Sequence, residues 1–162
     1  MKIYLAGPMF TAAEVAYNLA MTATLREHGF DVYCPNESEP INDKTRNDIT
    51  ARVIYDHDLA ALEESNVLIC QVSEDSGTNW EAGYMDCLSS RVDPDRYYGV
   101  IGLATDIRLR TPPDPSRSGV DNQAGYANPL VVGGLQGSLG VYLDETSMIT
   151  RLIDLRRERE KP

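Results

Sequence analysis

The chain is poor in positive charge: 15 lysines and arginines stand against 25 aspartates and glutamates, a formal charge of −10 over 162 residues. A surface of that sign opposes a polyanion, so no nucleic-acid polymer is expected as a partner, and a small, largely uncharged ligand fits better. Cysteine is scarce and odd in number. Cys34, Cys70 and Cys87 make no CxxC pair and fall on positions read as core-facing, which excludes a disulfide framework and points to reduced, buried thiols. His28 and His57 are the two histidines. Neither has a metal partner at useful spacing, both are read as solvent-facing helix residues, and no metal or cofactor is expected. No apolar run approaches membrane-spanning length and no signal segment precedes the first strand, so no membrane partner is expected and the cytoplasm is the expected location. Internal repeats and low-complexity segments are absent as well.

What is present suffices for one domain over residues 1–162, since 42% of the residues are apolar. A short buried run, Ile3-Tyr4-Leu5-Ala6, ends at Gly7-Pro8. Thr11 can cap a helix reaching His28, with Ala12, Ala16, Leu19, Ala20 and Ala23 on its apolar face and Gly29 as its stop. A second strand runs over 30–34, and residues 36–47 read as a loop. A helix follows over about 48–64, then the apolar strand Asn66-Val67-Leu68-Ile69-Cys70-Gln71-Val72. Later strands are expected over 97–103 and 140–143, with a helical stretch after Asn128 and a last helix carrying Met148, Ile149, Leu152, Ile153 and Leu155. The charge run over 156–160 reads as a solvated helix end. Residues 104–127 are too long for a routine connection and read as a lid-like loop. Strands alternating with helices predict an α/β, flavodoxin-like, doubly wound fold, a five-stranded parallel sheet with helices on both faces.

That topology opens its ligand crevice at the ends of strands one and three, which gathers Tyr4, Gly7, Asp58 and the turn from Asp75 to Glu81. Glu81 is placed in the first turn of a helix, where the dipole would keep it ionised at neutral pH. Asp75 lies six residues earlier, with Gly77 as a flexible point and Ser76 or Thr78 as the N-cap. Two carboxylates thus meet at the C-terminal end of a strand, where open α/β sheets place their ligands. The bland alternative is that Glu81 serves the dipole and Asp75 the turn. Asp58 falls on the buried stripe of its helix, so it either has a hydrogen-bond partner or lines a site. Trp80, spaced with Tyr84, reads as packing, and the role of Arg108 stays open.

Taken together, Ile3-Tyr4-Leu5-Ala6-Gly7-Pro8 with Phe10, Asp56-His57-Asp58-Leu59, Asp75-Ser76-Gly77-Thr78-Asn79-Trp80-Glu81-Ala82-Gly83-Tyr84, Thr105-Asp106-Ile107-Arg108 and Asn128 resemble the nucleoside 2-deoxyribosyltransferase family. The resemblance implies that Glu81 is the nucleophile and Tyr4 the tyrosine that holds it. It implies that Asp58 and Asp75 handle the nucleobase, and that Asn128 reaches the sugar of a neighbouring subunit. It further implies deoxynucleosides and free nucleobases as partners and a homo-oligomer with shared sites. Asp75 is also the candidate acid for the leaving base. A related hydrolase of 2-deoxynucleoside 5′-monophosphates is the nearest alternative. Such relatives carry a phosphate-binding serine where Asp75 stands, and an aspartate there repels a phosphate dianion. Ser73, Ser76 and Thr78 keep that alternative open. A non-catalytic nucleotide-binding module is the third reading.

Overall fold

The computed structural model describes residues 1–43, 45–106 and 128–161. Most of the lid-like loop, with Arg108, therefore lies outside the described residues. Five strands, β1 (Lys2–Ala6), β2 (Asp31–Tyr33), β3 (Val67–Gln71), β4 (Gly99–Leu103) and β5 (Val141–Tyr142), pair in parallel in the order β2-β1-β3-β4-β5. This is the expected flavodoxin-like order, with its switch point between β1 and β3.

Helices α1 (Ala12–Glu27) and α6 (Glu145–Arg159) cover one face of the sheet, packing on Ile3, Leu5, Val67, Ile69, Ile101 and Leu103. The other face carries α3 (Ala51–Glu64), α4 (Ser76–Cys87) and α5 (Pro129–Gly137), packed on Tyr4, Ala6, Leu68, Cys70 and Val100. Burial on both faces explains why the central strands read as continuous apolar runs rather than alternating ones. Because Tyr4 alternates with Ile3 and Leu5, it points to the α3 and α4 side. That alternation aims its hydroxyl at the site.

Several local expectations change. The alanine stripe of α1 is exposed, and Asn18, Met21, Thr22 and Leu25 are buried instead. Met21 and Leu25 each offer far more apolar area than an alanine, roughly 1.5–3 kcal/mol per side chain, so they decide which way the helix rolls. Residues 36–47, read as loop, contain a 3-10 turn (Pro35–Glu37) and the one-turn α2 (Glu39–Asn42). Helix α3 starts at Ala51, because Thr50 takes the cap and accepts from the Val53 N–H. Cys87 is exposed rather than core-facing, while Cys34 and Cys70 are buried.

The basic end of α6 is not merely solvated. Arg156 lies 4.5 Å from the Phe30 ring centroid and Arg159 lies 4.4 Å from that of Tyr98, so the two guanidiniums cover aromatic edges of the sheet. Among the described residues no helix is long and apolar enough to cross a membrane.

Candidate active site

The site grows from the turn between β3 and α4. Asp75, and not Ser76 or Thr78, is the N-cap of α4: its Oδ2 accepts both the Thr78 N–H and the Thr78 hydroxyl, each at 2.7 Å. The Asn79 carboxamide donates to the carbonyls of Ser73, at 3.1 Å, and Asp75, at 2.8 Å, closing the turn behind the cap. Gly77 is therefore helical rather than a hinge. A Cβ on it would lie 3.3 Å from Asp75 Oδ2, so its bareness gives the capping carboxylate room.

With α4 beginning at Ser76, Glu81 falls in the second turn, past the reach of the helix-end charge. The expected dipole effect is overruled by burial. Desolvation pushes the Glu81 pKa up to about 7, the nearby charges of Asp58 and Asp75 push the same way, and the Tyr4 hydrogen bond opposes them. Tyr4, fully buried in the middle of β1, donates its hydroxyl to Glu81 Oε1 at 2.7 Å. Burial and Glu81 hold the Tyr4 phenol far above its ordinary range, so it stays a donor. Oε1 is thereby fixed, and Oε2 takes no part in the bond to Tyr4.

Asp58 enters from α3, half-buried, with its pKa raised by desolvation and pulled back by His57 and Tyr33. It lines a cavity of about 530 Å³ together with Met9, Phe10, Asn36, Ser38 and Ile54. A volume of that order suits a nucleoside-sized ligand. Phe10 is 78% exposed at the rim. Gly7 follows β1, and a Cβ there would meet the Gln71 carboxamide at 2.5–2.9 Å. Gln71 is tied at 2.5 Å to Asn18, whose amide also binds the Pro8 carbonyl at 3.0 Å and Asn36 at 2.8 Å. This polar triad braces the turn after β1 from behind. Asn128 stands apart: it is exposed and caps α5, accepting from the Leu130 N–H at 2.9 Å.

Two residues escape the sequence reading. His57 is half-buried rather than simply solvent-facing: its ring nitrogens lie 3.2 Å from Tyr33 Oη and 3.2 Å from Ser38 Oγ. Tyr33 is the register partner of Tyr4, which brings the two rings to 5.1 Å. A Tyr in each of two adjacent parallel strands was the available signal. Trp80, read as core packing, is 49% exposed and stacks on Tyr84 with centroids 5.4 Å apart.

The family described as nucleoside 2-deoxyribosyltransferase matches residues 3–108. A curated protein of Thermofilum pendens (strain DSM 2475 / Hrk 5), provisionally named 2′-deoxynucleoside 5′-phosphate N-hydrolase 1, is 31% identical over 86 residues, 52% of this chain and 59% of that one. The chain thus spans about three-fifths of that relative's length. Among solved structures, a conserved protein from Enterococcus faecalis V583 has a TM-score of 0.78 at 24% identity, covering 95% of this chain and 98% of that chain. A 2-deoxyribosyltransferase from Bacillus psychrosaccharolyticus has a TM-score of 0.60 at 20% identity, covering 92% and 90%. At those identities the two structures speak for the fold alone. The family match, which takes in Tyr4, Asp58, Asp75 and Glu81, carries the assignment: this chain belongs to the nucleoside 2-deoxyribosyltransferase family.

Proposed function

We propose that the chain moves 2-deoxyribose between nucleobases through a covalent glycosyl-enzyme on Glu81. The observation that carries this reading is the buried pair of Tyr4 and Glu81, held at 2.7 Å with one carboxylate oxygen fixed and the other available. Glu81 Oε2 attacks C1′ of a deoxynucleoside, the C1′–N bond breaks, and the base leaves with its electron pair and gains a proton. A nitrogen of a second base then attacks C1′, the ester bond to Glu81 breaks, and the incoming base gives up its proton. Two displacements give retention and ping-pong kinetics.

Two carboxyl groups lie close enough to Glu81 to raise its pKa, Asp58 and Asp75. Asp75 is the acid expected from the sequence, yet its Oδ2 is committed to the α4 cap. Asp58, whose pKa burial raises and which faces the cavity, is the other candidate for that acid. Either way the base pocket is rich in acceptors. Asn128, exposed at the start of α5, suits a contact to the sugar in a neighbouring subunit of a homo-oligomer.

Hydrolysis of deoxynucleoside 5′-monophosphates is the second reading, favoured by the similarity to the Thermofilum pendens protein. Against it stands Asp75, whose carboxylate opposes a phosphate dianion. Deoxynucleosides incubated with and without a second free base decide between the two. A new deoxynucleoside that needs the acceptor and disappears in Glu81→Ala supports transfer. Free base and sugar alone, released faster from 5′-monophosphates, support hydrolysis.

A further inference from the structure

His57 does not line the cavity, but it touches Ser38 and Asp58, which do, and the chemistry above leaves it unused. Its Nε2 lies 3.2 Å from Ser38 Oγ, and its Nδ1 lies 3.2 Å from Tyr33 Oη and 3.5 Å from Asp58 Oδ1. Tyr33 Oη is also 3.4 Å from that same Asp58 oxygen. Both ring nitrogens are therefore engaged within the protein, and the imidazole has none to spare for a substrate.

Nδ1, Tyr33 Oη and Asp58 Oδ1 form a triangle whose proton count depends on the ring. A neutral imidazole protonated at Nε2 leaves the single Tyr33 proton to serve two acceptors, Nδ1 and Asp58. With the ring proton on Nδ1 instead, Nε2 accepts from the Ser38 hydroxyl, and the ring and the phenol both donate to Asp58 Oδ1. The ring side chain is 37% exposed, whereas Asp58 is 27% exposed and faces the cavity. The groups facing the ring are Tyr33 of β2, Ser38 of the following turn and Asp58 of α3; Tyr4 of β1 and Glu81 of α4 stand behind Tyr33. Asp56 does not compete, because it pairs with Arg52 at 2.7 Å.

We propose that His57 is a positioning residue that, with Tyr33, sets the orientation and charge of Asp58 and so governs recognition of a base bearing an exocyclic amino group. The proposal rests on the deoxyribosyltransferase reading, which makes the cavity beside Asp58 the nucleobase pocket. An ionised, held Asp58 accepts from an amino edge such as that of adenine or cytosine. A loose or neutral Asp58 does so less well.

The test is calorimetric binding of free adenine and cytosine, with Glu81→Gln in every protein so that the nucleophile does not titrate. Adding His57→Gln is expected to weaken binding about fivefold or more, and Tyr33→Phe to weaken it in the same sense. Neither change is expected to weaken it further once Asp58→Asn is present. Hypoxanthine and uracil, which carry a carbonyl in place of that amino group, are expected to lose far less affinity than adenine and cytosine in His57→Gln. Unchanged affinity in His57→Gln, or losses that simply add to that of Asp58→Asn, would overturn the proposal and leave the transferase reading standing. Absence of base binding in every variant also overturns it, and the transfer assay on the wild-type protein then shows whether the broader reading falls with it.

Discussion

Glu81 is a carboxylate that the fold works against. Its pKa rises from an ordinary 4.5 to about 7, so the folded state binds a proton more tightly than the unfolded chain between those values. Stability contributed at this residue therefore falls as pH rises from about 4.5 to about 7, by at most about 3 kcal/mol in total. Glu81→Gln keeps an acceptor for Tyr4 and removes the buried charge. Urea unfolding is expected to show this variant more stable than the wild type at pH 8 and equal to it near pH 4.5; equal stability at both would contradict the account. As the proposed nucleophile Glu81 must be ionised, so kcat/KM is expected to rise with pH on an acid limb near pH 7. Tyr4→Phe removes the hydrogen bond that pulls the Glu81 pKa down. The acid limb is expected to move to higher pH and the rate to fall at least about tenfold. A limb that stays in place would remove Tyr4 from its assigned role.

At the scale of elements, α4 unites structure and chemistry through one cap. Asp75 fixes the first turn, and that turn sets the register that delivers Glu81 to Tyr4. Asn caps about as well as Asp, whereas Ala loses roughly 0.5–2 kcal/mol. Asp75→Ala is therefore expected to lower the unfolding free energy by about that amount, and Asp75→Asn to leave it nearly unchanged. Turnover then reports on the proton: a large loss in Asp75→Asn assigns the acid to Asp75, whereas normal turnover there with a loss in Asp58→Asn assigns it to Asp58.

The strands were legible because parallel central strands are apolar throughout, and the end of the apolar run at Val72, one residue past that of β3, fixed where Glu81 would lie to within one helical turn. What was not legible were properties that depend on which neighbour arrives in space. The roll of α1 turned on the areas of Met21 and Leu25 and on an Asn18 whose amide finds Pro8 and Asn36. The inward turn of His57 depended on Tyr33 and Ser38, which lie 24 and 19 residues away in sequence. The raised pKa of Glu81 followed from the depth of its burial, which periodicity does not measure.

For the whole molecule, acidity and an exposed aromatic face act together. Trp80 stacks on Tyr84 and meets the edge of Tyr55 at 5.6 Å, with Arg52 over Tyr55 at 5.0 Å. Such a cluster on a chain of charge −10 suits association with a second copy better than with a polyanion. Sedimentation is expected to show an oligomer that Trp80→Asp weakens; a monomeric wild type would contradict the shared-site arrangement proposed for Asn128.

The central claim is that Glu81 takes the sugar, and intact-protein mass spectrometry after acid quench tests it most directly. Mixed briefly with a deoxynucleoside and no acceptor, the wild-type protein is expected to gain the mass of one deoxyribosyl group, on the peptide containing Glu81. That gain is expected to vanish in Glu81→Gln and to be chased off by added base. Turnover with no adduct under any quench, or an adduct on another residue, would contradict the account.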